Sequence, residues 1–544
     1  MELLRQLGQM TEIHSGSTVS AKEIQFRVEA RVQNFVKQGL LKNDRVLLRH
    51  GNSISFFIDL FALWTLDACA IPLDRTTPEQ ELQKIAVHSS ASFEIQTDYG
   101  PLLRIGDVRP TTASIHLILY TSGSMGLPKG VTYNLTTLEN KLAVLEENLP
   151  IEDFQKSLCL LPTHFGHGLI GNSLFPLLRG CHLYIGPPFD LAMSEKLSSL
   201  IDFHEITFFS SVPSFWNFLK DHHGLKRSSL KRIHCASSLF LENAYLQIRK
   251  WAPSAKIFNV YGLTEFASWV SGFEVQQAAD FKYVGMGWGA DFKIENSDES
   301  GVGVVLIKSK AEMIGYLNQP DLTEKSRVNG WFRTGDLGFV DKKNGLKLIG
   351  RYDDLMNVGG AKIVPSEIEN VLLKNSSLRS VCVFSIPHVL TGEAIVAAYM
   401  NSSNVVTPAE LERWCQEYLP KYRIPTYWYP VQQIPETSRG KVDRRNLRES
   451  FLQKYKLLNN QQHEKSDIEK NFEKTVRKVF NLTDDVNLQT LSYGSSSNWD
   501  SIRHIEWKLS NENRIIAGYN CRKAVGKILD SVYVFAFYTD EIMI

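Results

Sequence analysis

The sequence predicts an α/β fold: a large multi-sheet N-terminal domain, a smaller α+β domain after it, and a small helical domain at the C-terminus. Three observations carry that prediction. The chain has 544 residues, well past the ~300 at which a single hydrophobic core stops growing. Short apolar runs (RVLLRH, CAIPL, SLCLLP, HLYIG, ITFFSSV) alternate with amphipathic stretches such as KEIQFRVEARVQNFVKQGL, the rhythm of largely parallel strands and their covering helices. The polar, aromatic-poor stretch LLNNQQHEKSD then has the composition of a linker.

Taken in order, residues 1–352 read as the large domain. Its most apolar segment, Ser53 to Leu73, contains Asp59 and Asp67; a charge near a membrane helix centre opposes insertion by about 3 kcal/mol, so a buried helix is expected and membrane insertion is not. From Gly301 the rhythm changes to strands with tight turns, as in GVGVVLIKS and NGLKLIGRYDD. Residues 353–455 form the second domain, with strand-like SVCVFSIP and EAIVAAYM and helical PAELERWCQEYL. Residues 456–466 are the linker. In 467–544, IEKNFEKTVRKVF and SIRHIEWKLSNENRI place apolar residues at helical spacing.

Composition narrows the function. Hydrophobic residues make up 43% and charged residues 22%, and Lys plus Arg total 60 against 59 Asp plus Glu. A net charge of +1 supplies no global field for nucleic acid or an anionic membrane, so an anion must be met locally. The seven cysteines are scattered and form no C-x-x-C pair, which disfavours a disulfide framework or structural zinc. The first residues lack the basic start and apolar run of a signal peptide, and a reducing cytoplasm is the expected compartment.

The strongest local signal is LILYTSGSMGLPKGV, an apolar strand running into a loop dense in Gly, Ser and Thr. Small residues let backbone N–H groups approach phosphate oxygens, hydroxyls add donors and Lys129 adds positive charge. A flexible turn is the alternative on composition alone. The loop is not a common P-loop, because Pro128 precedes Lys129 and Gly130 follows it. Gly285, Gly287 and Ala290 formally fit G-x-G-x-x-A, but a strand-like VGVVLI rather than a helix follows, which argues against a dinucleotide site.

The run T-S-G-S-M-G-L-P-K-G closely resembles the phosphate loop of the adenylate-forming superfamily: acyl-CoA synthetases, luciferases and nonribosomal peptide synthetase adenylation domains. Met125 stands where the family usually has Thr, removing one hydroxyl. Four further motifs follow in family order. The resemblance implies that Thr121, Ser122, Gly123, Ser124, Gly126 and Lys129 cradle the phosphates of ATP. In NVYGLTE it implies Tyr261 and Gly262 at the adenine, Thr264 on phosphate and Glu265 on Mg2+. It implies Asp336 of WFRTGDLG and Arg351 of GRYDDLMNVGG on the ribose, Asp353 as a hinge, and Lys441 of PETSRGKVDRR as the adenylation lysine. Each residue taken singly has a structural alternative as a cap, turn or solvated charge. Their joint order overrides it.

The implied reaction joins a small-molecule carboxylic acid to AMP and passes the acyl group to a thiol through a channel lined by Gly359 and Gly360. Those glycines equally suit a turn. The segment LPTHFGHGLIGNSLFPLLRG resembles the acyl-pocket segment, with His164 or Phe165 as the aromatic gate. Gly166 stands where many amino-acid-activating relatives have Asp, which points to an acid without an α-amine, since a buried unpaired ammonium is costly. W-D-S-I-R-H-I-E resembles a carrier-protein attachment segment, implying 4'-phosphopantetheine on Ser501, a phosphopantetheinyl transferase as partner, and a separate carrier protein or downstream biosynthetic enzyme as further partners. Asn498 replaces the usual Gly there, and the chain ends in the unusually apolar SVYVFAFYTDEIMI. The alternatives are an acyl-CoA synthetase using free coenzyme A with a vestigial tail, and a catalytically impaired binding module.

Overall fold

The computed structural model describes residues 4–107, 115–121, 129–189, 191–216, 219, 229–238, 240, 242–277, 280–297, 299–388, 391–402, 405–435, 442–462, 507–516, 519–529 and 532–538. They fall into two compact units, Met1–Glu449 and Ser450–Ile544.

The first unit contains a mainly parallel sheet and a second sheet in which parallel and antiparallel pairs are equal in number. One has eight strands in the order Ser268–Glu274, Lys256–Leu263, Arg232–Cys235, Phe208–Ser211, Lys156–Cys159, His182–Ile185, Met10–Glu12 and Thr18–Val19. Its interior pairs are parallel and its two end pairs antiparallel. The other has seven strands, with Leu117–Thr121 between Cys69–Pro72 and Lys129–Tyr133 and with Gly315–Tyr316 at the edge. Helices such as Ala21–Lys37 and Ile54–Thr65 cover the sheets, the first bringing Ile24, Val28 and Phe35 inward at the expected helical spacing.

The apolar Ser53–Leu73 segment splits into the buried helix Ile54–Thr65 and the strand Cys69–Pro72. Ser53 caps the helix by accepting from the Phe56 amide at 3.1 Å. Asp59, which argued against a membrane span, is buried in a pair with Arg31 at 2.5 Å and His50 at 3.0 Å. Among the described residues no helix is long and apolar enough to cross a membrane.

The change of rhythm at Gly301 falls within an antiparallel sheet that begins earlier, at Tyr283: Tyr283–Gly285, Gly345–Arg351, Trp331–Asp341, Gly303–Ser309 and Ala290–Glu295 in spatial order. The strand Ala290–Glu295 stands where a dinucleotide fold requires a helix, so the G-x-G-x-x-A match is coincidental. Beyond Arg351, strands Leu378–His388 and Gly392–Asn401 and helix Pro408–Tyr418 match the expected α+β domain. Thr407 and Glu410 form a reciprocal capping box at that helix.

The helical C-terminal expectation is corrected. Trp507–Ile516, Tyr519–Leu529 and Val532–Tyr538 are strands of an antiparallel three-stranded sheet. Helical spacing within SIRHIEWKLSNENRI counts only its own side chains, whereas the β-branched and aromatic run VYVFAFY and the preceding strand supply ladder partners. IEKNFEKTVRKVF and Ser501 lie outside the described residues. Cys69, Cys159, Cys181, Cys235, Cys382 and Cys415 are buried and free.

Candidate active site

The glycine-rich loop lies between two paired strands: Leu117–Thr121 runs antiparallel to Lys129–Tyr133, with Thr121 opposite Lys129. Ser122, Gly123, Ser124, Met125 and Gly126 lie outside the described residues. The Lys129 ammonium is 5.6 Å from the ring centroid of Tyr316, and the Tyr316 hydroxyl donates to Glu265 Oε1 at 2.8 Å. Burial, reinforced by the Glu265 charge, lifts the Tyr316 hydroxyl above the usual tyrosine range, keeping it a donor.

Local structure fixes Glu265. Strand Lys256–Leu263 ends in the short 3-10 turn Thr264–Phe266. The Thr264 carbonyl accepts from the Tyr133 hydroxyl, and the Glu265 carbonyl accepts from the Met313 amide at 2.7 Å. Segments 129–133, 264–266 and 313–316 are therefore tied together, placing the sequence-predicted Lys129, Thr264 and Glu265 around one corner. Tyr316 carried no sequence signal; it arrives because Gly315–Tyr316 pairs with Lys129–Tyr133.

A second cluster joins Tyr261, Asp336 and Arg351. Asp336 and Arg351 are opposite each other on antiparallel strands. The guanidinium donates to Asp336 Oδ1 at 2.9 Å, and the buried Tyr261 hydroxyl donates to Oδ2. Burial works against the charged guanidinium, but the Asp336 charge and hydrogen bond outweigh it and raise the Arg351 pKa. Burial, then the Asp336 charge, pushes the Tyr261 hydroxyl well up. A carboxylate has about four lone-pair sites, so Asp336 retains acceptor capacity for a diol. Gly262 has a packing reason: a Cβ there would lie 2.5 Å from the Ser268 carbonyl oxygen, at the bulge between strands Lys256–Leu263 and Ser268–Glu274.

The acyl segment lies beside the first cluster, since a Cβ on Gly166 would sit 3.5 Å from Leu119 Cδ1, on the strand that feeds the glycine-rich loop. The rings of His164 and Phe165 are 4.0 Å apart, and His164 Nε2 is 3.7 Å from Asp74 Oδ2. Gly166 leads into a π-helix, His167–Leu174, a form frequent at functional sites. Its first residue was not singled out in the sequence: His167 Nε2 is 2.6 Å from Ser210 Oγ and Nδ1 is 2.9 Å from Ser237 Oγ.

Asp353 is exposed in the turn between Gly345–Arg351 and Met356–Val358. Gly359 and Gly360, at φ 58° and 88°, link Val358 to Ala361 in a two-residue hairpin turn, so conformation already demands glycine there. Lys441 lies outside the described residues, but the ends of its loop are held by the Asp443 amide donating to the Pro435 carbonyl at 2.8 Å.

The residues fit the groups the motifs imply. Glu265 Oε2 makes no hydrogen bond among the described residues, and one carboxylate completed by phosphate and water is the usual protein share of a Mg2+ site. No cluster of three or more metal-ligating side chains exists among the described residues.

Fold and site together define a ligase that forms acyl-adenylates. The profile described as AMP-binding enzyme matches residues 106–317, and that described as AMP-binding enzyme C-terminal domain matches residues 367–441. The chain belongs to this AMP-binding, adenylate-forming family. Over 463 residues it is 27% identical to 2-succinylbenzoate–CoA ligase of Listeria monocytogenes, covering 80% of this chain and 95% of that protein. In fold it is similar to the Bacillus subtilis o-succinylbenzoate CoA synthetase in complex with its acyl-adenylate intermediate, at TM-score 0.71 and 21% identity, covering 81% of this chain and 95% of that one. ATP-bound MatB from Rhodopseudomonas palustris gives TM-score 0.72 at 20% identity, covering 82% and 96%.

Proposed function

We propose that the protein activates a carboxylic acid lacking an α-amine as its acyl-AMP, releases pyrophosphate, and transfers the acyl group to the thiol of free coenzyme A, with AMP leaving and the thiol proton lost. The observation that carries this reading is the paired placement of Asp336–Arg351–Tyr261 and Glu265–Tyr316–Lys129. One cluster suits a ribose diol. The other suits charged phosphate.

Attack of a carboxylate on the α-phosphorus brings two anions together, so the site must hold them in line and offset the added charge. Thr121, Lys129 and Thr264 donate to phosphate oxygens, together with Ser122, Gly123, Ser124 and Gly126 of the loop. Asp336 and Arg351 orient the ribose, and Tyr261 and Gly262 border the base. Glu265, steadied by Tyr316, would hold Mg2+, which when bound neutralises phosphate charge and eases pyrophosphate departure. Lys441, carried by the smaller domain, reaches the carboxylate and α-phosphate during adenylation. Rotation about Asp353 then withdraws it and brings the Gly359–Gly360 turn to the thiol path. His164 or Phe165 gates the acid, and Gly166 stands where many amino-acid-activating relatives carry the carboxylate that meets an ammonium.

Free coenzyme A is favoured as acceptor because strands follow Ser501 from Trp507 onward, where a carrier would continue its helix. Acid-dependent exchange of labelled pyrophosphate into ATP tests the first half-reaction; none across a broad acid panel refutes it. Labelled acid recovered on coenzyme A supports the acceptor proposed here, whereas label on the protein at Ser501 would establish the carrier alternative.

A further inference from the structure

The turn that carries the acid gate is held by more than its own sheet. Residues 161–165 follow strand Lys156–Cys159 of the eight-stranded sheet, yet a side chain from the seven-stranded sheet grips them. Asn52 Nδ2 donates to the Leu161 carbonyl at 2.9 Å and to the Gly186 carbonyl at 3.0 Å, and Asn52 Oδ1 accepts from the Thr163 amide at 3.0 Å. A side-chain amide has two donor hydrogens and one acceptor oxygen, so both ends of this one serve backbone 109 to 134 positions away. Gly186 follows strand His182–Ile185, the neighbour of Lys156–Cys159. One side chain therefore ties the exits of two adjacent strands.

The loop that presents Asn52 is fixed on both sides of it. Before it, the buried His50 ring lies between Asp59 Oδ2 at 3.0 Å and Asp98 Oδ1 at 3.3 Å. After it, Ser53 Oγ donates to Asp98 Oδ1 at 2.5 Å, and the Ile54 amide donates to Glu12 Oε1 at 2.7 Å. A side chain whose supports are themselves hydrogen-bonded holds its partners to a narrow geometry.

The far end of the turn meets the same sheet. His164 Nε2 is 3.7 Å from Asp74 Oδ2, and Asp74 Oδ1 accepts from both the amide and the hydroxyl of Thr76 at 2.7 Å. Asn52 follows strand Arg45–Leu48, Asp74 follows Cys69–Pro72, and the glycine-rich loop follows Leu117–Thr121. These three strands are adjacent and parallel, so their exits lie along one edge of the sheet. The edge that delivers the phosphate loop thus also holds the gate turn. Without that tie, one sheet would place the acid and another the ATP phosphates, and a misplacement of about 1 Å can cost about a hundredfold in rate.

We propose that Asn52 is a positioning residue for acyl-adenylate formation: by clasping the backbone of the gate turn, it sets the acid in register with the ATP held at the neighbouring phosphate loop. This deepens the acid-activation reading and rests on it. Asn52 acts through the turn and exchanges no proton with either substrate. Its loss falls on the acid and on the rate of attack, while the ribose and phosphate contacts that bind ATP stay in place.

The test is ATP–pyrophosphate exchange by the full chain, with acetate, hexanoate, palmitate, malonate, benzoate and cinnamate as probes and the fastest of them carried to the variants. Asn52→Ala is expected to lower kcat/KM for that acid by about tenfold to a hundredfold, with KM for ATP within about twofold of the wild type. Asn52→Asp adds a readout that a merely structural role would not move, and keeps the test decisive if the alanine variant does not fold. Its carboxylate faces two carbonyl oxygens, which disfavour the charge; once protonated, it donates to one of them and still accepts from the Thr163 amide. Its kcat/KM for the acid, taken as a fraction of wild type, is expected to rise about threefold or more between about pH 8 and about pH 6. That ratio sets aside the titration of His50, Asp59, Asp74, Asp98 and His164, which both proteins share. A flat ratio in folded Asn52→Asp, an unchanged acid kcat/KM in folded Asn52→Ala, or equal losses for acid and ATP overturns the inference while acid activation stands. No exchange with any acid overturns both.

Discussion

Lys141 offers the sharpest quantitative test of the packing. Helix Leu135–Asn148 turns this residue into the core, fully buried, where its ammonium donates to the Trp269 carbonyl. Burial pulls its pKa from 10.5 to about 7. At about 1.4 kcal/mol per pH unit, that fall makes the charged form about 5 kcal/mol less favourable in the folded chain than in the unfolded one. The folded chain therefore binds fewer protons than the unfolded chain between those two values, and stability rises with pH. From about pH 7 to about pH 9 this group alone adds about 2 kcal/mol. Lys141→Met keeps the chain length and removes the titration, at the cost of an unpaired Trp269 carbonyl of about 1–3 kcal/mol at every pH. Urea denaturation followed by tryptophan fluorescence at the two pH values measures the difference. The wild type is expected to gain about 2 kcal/mol on the variant between them; equal increments in both proteins would refute the burial argument.

Three further outcomes are expected. Asp336→Ala removes the acceptor shared by Arg351 and Tyr261 and should weaken ATP binding about tenfold or more in calorimetry; unchanged affinity would remove its ribose assignment. Tyr316→Phe deletes the donor to Glu265 and should raise the Mg2+ concentration for half-maximal pyrophosphate exchange severalfold, and an unaltered Mg2+ dependence would separate Glu265 from the metal. Lys441→Ala should slow acyl-adenylate formation by about a hundredfold or more while sparing thiolation of supplied acyl-adenylate; equal loss in both half-reactions would contradict its assignment to adenylation.

Features carried by contiguous residues were readable directly. The strand feeding the glycine-rich loop, the helix at Ala21–Lys37, the helix at Pro408–Tyr418 and the change to antiparallel strands all follow from local spacing and residue type. Motif order likewise named Glu265, Asp336 and Arg351 before their geometry was known. The C-terminal strands were missed because their partners lie outside the window in which helical spacing is counted.

By itself the sequence determined the family, the order of its nucleotide motifs and the α/β plan, since each is encoded in short runs whose chemistry is local. Tertiary structure alone decided that Tyr316 steadies Glu265, that two serines from neighbouring strands clasp His167, and that Lys141 enters the core beneath Trp269. Those contacts join residues 43 to 128 positions apart. Only strand pairing and core packing bring such groups within a few ångströms, and only there do burial and neighbouring charge set what each can donate, accept or hold.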